Sequence, residues 1–259
     1  MADVTGRPTR ATIGCVIGCT ALLLAGAACS DKSEAREDGG SQEPSETTEP
    51  APSSESTAST TTTIDAGDIE ISAPNGWREV PLPTLGFGLA VPESWEAVLL
   101  SEEGLDALVQ ADPAVPGFAE AAQATASGGG LFYAAGVEAS DRVTDLKVRA
   151  APETGLTTAA ALYNYAQTLA TDAGLVEPSI KVKTDADRPT VVVRYSNEVE
   201  RTDPDDPDAE PTTVTVEGSE QLVVAPNGVV YSLIVTSENP EGHDAFADRV
   251  FETLAFPPS

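Results

Sequence analysis

Hydrophobic and polar positions change rhythm several times along this chain, and the changes mark its elements. Gly86-Phe87-Gly88-Leu89-Ala90-Val91 alternates before Pro92 stops it, which predicts a short strand. Pro92-Glu93-Ser94-Trp95 then turns the chain, and Ala97–Leu100 extends again. Leu105–Gln110 and the alanine-rich Phe118–Ala126 read as helices. Leu131–Val137 is apolar enough for a buried strand. In Asp145–Ala150, Leu146, Val148 and Ala150 alternate with Lys147 and Arg149, predicting a strand with one wet face.

Thr157–Gly174 carries the clearest helical period, with Ala161, Leu162, Tyr165 and Leu169 on one side. Thr157 or Thr158 can cap its start, and Gly174 supplies the stop. Strands are then predicted from Ile180–Lys183, Thr190–Glu200, Thr212–Val216, Ser219–Val224 and Val229–Val235. Asn227-Gly228 separates the last two and is a hairpin signal, because both residue types tolerate positive φ. The chain closes with a helical stretch, Asp244–Leu254, where Phe246, Val250 and Leu254 line one face. Strand, helices, strands, helix, strands, helix is the order of an α+β protein, a largely antiparallel sheet with helices packed on it.

Before this region the pattern is of another kind. Arg7 and Arg10 precede a charge-free stretch, Ala11 to Ala28, with an apolar body ending in Leu22-Leu23-Leu24. Small residues Ala25-Gly26-Ala27-Ala28 follow, then Cys29. This basic, apolar, small order is that of a secretory signal. The cysteine behind the small residues resembles the lipobox of bacterial lipoproteins. That resemblance implies a diacylglyceryl group on the Cys29 thiol and cleavage just before it. Gly26 stands where a leucine is usual. Two other readings compete: Ala25-Gly26-Ala27 also fits an A-x-A cleavage site that releases a soluble secreted protein, and the apolar stretch is near the short limit of a membrane span.

From Ser30 to Asp65 the residues are mostly Ser, Thr, Glu, Pro and Gly. Apolar side chains are too sparse there to offset the entropy of ordering the chain, so a disordered spacer is expected. A flexible chain of that length has a mean reach of roughly 30–35 Å. The expected organisation is therefore residues 1–28 as lipoprotein signal peptide, 29–65 as acidic Ser/Thr/Pro-rich linker and 66–259 as one domain.

Charge narrows the choice of partners. Of 42 acidic and 14 basic residues, ten and four precede Ala66, so the domain carries a net −22. A surface that negative repels nucleic acid phosphates, and nucleic acid is not expected as a partner. The cysteines are Cys15, Cys19 and Cys29 only. Cleavage before Cys29 leaves one, hence no disulfide, Cys-based metal site or Cys–His pair.

Candidates for chemistry each meet a plainer reading. His243 is the only histidine, in an Asn239–Asp244 stretch read as an exposed loop leading to the last helix, with no G-x-S-x-G elbow to partner it. Asp203–Glu210 is dense in acids that suit Ca²⁺ but lacks EF-hand spacing, and reads as a solvated loop between strands. Gly128-Gly129-Gly130 is not followed by Lys-Ser/Thr or a helix, so it reads as a connection rather than a phosphate cradle. Trp95 fits a core role, and only one of Tyr163 and Tyr165 can be buried, leaving the other to line a groove. No catalytic residue, metal ligand or cofactor is assigned, and no enzymatic activity is expected; a hydrolase needs a nucleophile and base that the sequence does not pair.

The run Phe87-Gly88-Leu89-Ala90-Val91-Pro92-Glu93-Ser94-Trp95 resembles the strand, Pro, x, x, Trp opening of the Mog1/PsbP-like domains. The helix around Tyr163–Leu169, the strand Val191–Tyr195, Asn227–Tyr231 and Phe246–Phe256 follow in the same order, so the resemblance covers about residues 77–257. Lipobox, polar linker and one such domain is also the layout of actinobacterial LpqN-type lipoproteins. The resemblance implies an α/β/α sandwich and a non-enzymatic accessory or binding protein, lipid-anchored on the extracytoplasmic side of the cell membrane. Its implied partners are the membrane, through the anchor, and envelope proteins or lipid transporters. A secreted protein that binds a small ligand or lipid is the alternative.

Overall fold

A computed structural model describes residues 65–137, 142–152, 155–175, 177–183, 188–201 and 210–258. The signal segment, the linker and Cys29 lie outside them, as does most of the acidic Asp203–Glu210 stretch. After a 3-10 turn at Ala66–Asp68, the described strands and α-helices run β1 (Trp77–Leu82), β2 (Phe87–Pro92), β3 (Glu96–Leu99), α1 (Glu102–Gln110), α2 (Phe118–Ser127), β4 (Gly130–Val137) and β5 (Val143–Ala150). They continue as α3 (Ala159–Asp172), β6 (Ser179–Lys183), β7 (Thr190–Arg201), β8 (Thr212–Val224), β9 (Val230–Ser237) and α4 (His243–Glu252).

Seven strands form one sheet in the order β3-β4-β5-β9-β8-β7-β6, and every neighbouring pair is antiparallel. β1 and β2 form a separate antiparallel hairpin. Because side chains alternate along each strand, the sheet has two distinct faces. One packs under the hairpin and α4 through Phe87, Leu89, Trp95, Phe132, Leu146, Val148, Leu233, Val250 and Phe251. On the other, α1 and α2 cover β3 and β4, while α3 covers β6 and β7. The result is an α/β/α sandwich of the α+β class.

Local chemistry explains the boundaries. Thr158 caps α3, its hydroxyl accepting from the Ala161 N–H at 3.2 Å, and Ser101 caps α1 through Gly104. α3 buries Leu162 and Tyr165, as its period predicts, together with Ala166 and Ala170, while Ala161 and Leu169 of the expected face are partly buried beside them; it stops before Gly174 at φ 63°. The hairpin layer is closed by reciprocal backbone bonds of 2.8 Å between Gly88 and Ala255, just past α4. Thr253 completes that junction: its buried hydroxyl donates to the Val250 carbonyl at 2.7 Å and accepts from the Ala90 N–H at 2.9 Å.

Several expectations change. β1 is a strand the apolar pattern does not announce, because Pro81 interrupts the alternation; proline is tolerated at a sheet edge. The two strands expected over Thr212–Val224 are one, β8, running straight through Gly218. That glycine is not a break. A Cβ there would lie 2.2 Å from the Tyr195 ring, which occupies the space. In the β8–β9 connection only Gly228 takes positive φ, and Asn227 instead accepts the Val229 N–H on its side-chain oxygen at 3.0 Å.

Candidate functional site: a charged strip across the sheet

The face of β5 expected to be wet is largely enclosed. Asp145, Lys147 and Arg149 alternate with buried Leu146 and Val148, so they point to the α1–α3 side. Opposite them on β9 stand Thr236, Ile234 and Ser232, and beyond those on β8 stand Gly218, Glu220 and Leu222. β7 adds Tyr195 opposite Gly218. Four strands thus contribute to one strip of charged and hydroxyl side chains. It lies between the apolar pad under α2, where Phe118 meets Tyr133 at 5.1 Å, and the pad under α3.

Most of these groups satisfy one another. Lys147 Nζ lies 3.0 Å from Asp145 Oδ2, with side chains 13% and 4% exposed, and the Thr236 hydroxyl donates to the other Asp145 oxygen. The Ser232 hydroxyl donates to Glu220 Oε1 at 2.5 Å. Burial pushes the Glu220 carboxyl up, against the pull of the Ser232 hydrogen bond and the Arg149 charge. Burial also raises the Tyr195 phenol, helped by the negative charges of Glu220 and Asp145 and opposed by Arg149. Tyr195 lies against the Gly218 backbone, so its ring forms part of the floor.

Arg149 is the exception. Its Nε is buried without an acceptor, and the guanidinium makes no hydrogen bond or ion pair with any described residue. Its influence on Glu220 is electrostatic only. Nη2 stands beside the end of α2, 3.8 Å from where a Cβ on Gly128 would be. The strip can therefore pair charges and accept or donate hydrogen bonds at fixed points, and it holds one cation, Arg149, without a hydrogen-bonded counter-group among the described residues.

The other expected sites fall elsewhere. His243 is not an exposed loop residue: Gly242, at φ 79°, turns the chain so that His243 opens α4 facing the sheet, 4% exposed. Its Nε2 lies 3.1 Å from Ser219 Oγ. The fold does bring a serine to the histidine, but Ser219 is fully buried, so the pair ties α4 to β8 without a face for substrate. The Gly128 and Gly129 N–H groups bond back to Ala124 and Ala126, leaving neither to cradle a phosphate. Trp95 is a core residue whose indole sits where a Cβ on Gly136 would be, with Phe246 at 5.3 Å. Tyr165 is buried, and Tyr163 lines a shallow groove of about 410 Å³ with Gln167, Thr171, Leu175, Pro178 and Ile180. A smaller recess of about 170 Å³ lies across the sheet, where Arg194 joins Asp244 at 2.8 Å and Asp248 at 2.7 Å. Among the described residues no three His, Cys, Asp or Glu side chains gather as metal ligands, and no helix is long and apolar enough to cross a membrane.

Fold and strip define an α+β sandwich with a charged strip on one face of its sheet. No protein-family model matches the chain, and no curated protein matches it. Among solved structures the chain is similar to the cyanobacterial PsbP protein of Synechocystis, at 12% identity and TM-score 0.37, covering 71% of this chain and 94% of that one. It is similar to the Ran-binding protein Mog1p of Saccharomyces cerevisiae, at 10% identity and TM-score 0.35, covering 71% and 95%. It is also similar to LpqN of Mycobacterium tuberculosis, described as involved in cell envelope biogenesis, at 12% identity and TM-score 0.31, covering 73% and 83%. The first two carry the PsbP and Mog1 names. The architecture rests on the strand order β3-β4-β5-β9-β8-β7-β6.

Proposed function

We propose that this protein is a non-enzymatic accessory or binding protein of the cell envelope, held by lipid on Cys29 at the extracytoplasmic side of the membrane. The observation that carries the binding role is the strip of Asp145, Lys147, Arg149, Tyr195, Glu220, Ser232 and Thr236. It holds fixed charges and hydroxyls in the gap between two apolar pads, with the Lys147 and Arg149 side chains only partly buried, an arrangement suited to orienting a polar group of a partner. The anchored role is supported by the signal-like segment ending at Cys29 and the Ser/Thr/Pro-rich run behind it. Envelope proteins or lipid transporters are the partners that fit such a location.

Fractionation of cells expressing the full chain tests the anchor. The wild type is expected in the membrane fraction with a diacylglyceryl mass on an N-terminal Cys29, and Cys29→Ser in the soluble or secreted fraction. An unmodified mature chain beginning at Ala28 would overturn the anchored reading.

A further inference from the structure

Half-buried arginine without an acceptor is costly, because a guanidinium taken out of water loses hydration at each N–H left unpaired. Arg149 has this condition while its neighbours on the strip do not. Asp145 is bound by Lys147 and Thr236, and Glu220 by Ser232. No described residue supplies that acceptor, which leaves the Arg149 fork open to a group from outside the chain. Its charge is negative, since the five donors of the guanidinium fork match oxyanion geometry. A second cation stands two residues away on the same strand face, about 7 Å along it. Lys147 gives one contact to Asp145 and keeps further N–H donors. Two cations at that spacing suit an anion with more acceptor oxygens than a carboxylate offers.

We propose that Arg149, flanked by Lys147, binds the phosphate group of a ligand lying along the strip between α2 and α3. This rests on reading the strip as a binding surface and is independent of the Cys29 anchor. The domain's net −22 charge limits the class further: a polyanion is repelled by the surrounding field, whereas a single phosphate reaches the local cations. That phosphate has two chemical sources, the free ion and a phospholipid headgroup. In the second case the apolar pads beside the strip would meet the glycerol and the start of the acyl chains.

The test is calorimetric titration of the full chain, at constant ionic strength, with inorganic phosphate and separately with monomeric dihexanoyl phosphatidylglycerol. Binding of inorganic phosphate that Arg149→Gln weakens by about tenfold or more, the size of a lost charge-assisted hydrogen bond, supports the free-ion source. Binding of the lipid alone, with the same loss, supports the headgroup. Arg149→Gln should not lower the melting temperature, because no internal hydrogen bond or ion pair is lost and an unpaired buried N–H is removed. If that variant does not fold, Arg149→Lys retains the charge without the fork and should bind the same probe several-fold more weakly than wild type. The proposal is overturned if wild type binds neither probe, or if the arginine variants bind as wild type does. In those outcomes the membrane fractionation of Cys29→Ser still tests the anchor separately.

Discussion

The two faces of the seven-stranded sheet are made by the same strands, yet they are built on different terms. Toward α4 and the β1–β2 hairpin, one apolar cluster runs without interruption from Trp95 and Phe132 to Val192. Several of its polar members are tied internally: Thr144 to Ser237 at 2.9 Å, Ser219 to His243, and Thr253 to the backbone. Toward α1, α2 and α3 the apolar surface divides into two pads, and the charged strip occupies the gap. A continuous face holds the fold together; a divided face leaves room for specific polar contacts. Alternation along β5 serves both, with Leu146 and Val148 on one side and Asp145, Lys147 and Arg149 on the other.

The largest effect should come from the continuous face. Leu146→Ala, at a fully buried position, is expected to cost roughly 3–5 kcal/mol by urea unfolding, whereas Leu162→Ala under α3 should cost roughly 2–3, because a pad helix can shift to close the gap. Equal or reversed losses would break the distinction between the faces. Next comes the floor of the strip. Gly218→Ala drives a Cβ into the Tyr195 ring and should cost about 1–3 kcal/mol. Tyr195→Ala in the same chain should recover much of that loss; a strictly additive double variant would show that the ring does not dictate the glycine.

Thr253→Val should cost about 1–2 kcal/mol, since the Ala90 N–H loses its acceptor in a buried site. The smallest effects concern pH, and they have opposite signs on the two faces. Glu220 holds its proton more tightly folded than unfolded, so its contribution is full below its ordinary value of 4.5 and is lost as pH rises through the raised folded value. Glu220→Gln should therefore gain on wild type in melting temperature as pH rises. Asp248 behaves conversely: burial alone would push its carboxyl up, but Arg194 and Lys183 together hold it below its ordinary 3.8. Its contribution is present above 3.8 and lost as pH falls through the lowered value, so Asp248→Asn should lag wild type at neutral pH and converge with it in acid. Parallel pH profiles for the two variants would remove this contrast.

Much of the element order was legible from alternation and helical period, including the Thr158 cap and the Gly174 stop, because these depend on residues within one turn or one strand. The strip was legible only as a fragment. Lys147 and Arg149 showed as the polar half of a strand, which reads as a wet face when neighbouring strands are unknown. Their enclosure depends on β9 and β8, some 70 to 90 residues later in the chain, and on the pads beneath α2 and α3. His243 misled for the same reason. The glycine before it signals a turn, but the burial of the ring depends on Ser219 of β8.

By itself the sequence determined the α+β class, the signal-like pattern ending at Cys29 and the strong net acidity, since these follow from local periodicity and composition. Tertiary structure alone decided that β5 pairs with β9, that Gly218 makes room for Tyr195, and that Arg149 stands half-buried without an acceptor. The reason is physical: side-chain alternation specifies which face a residue joins, whereas sheet order and helix placement specify what that face then meets.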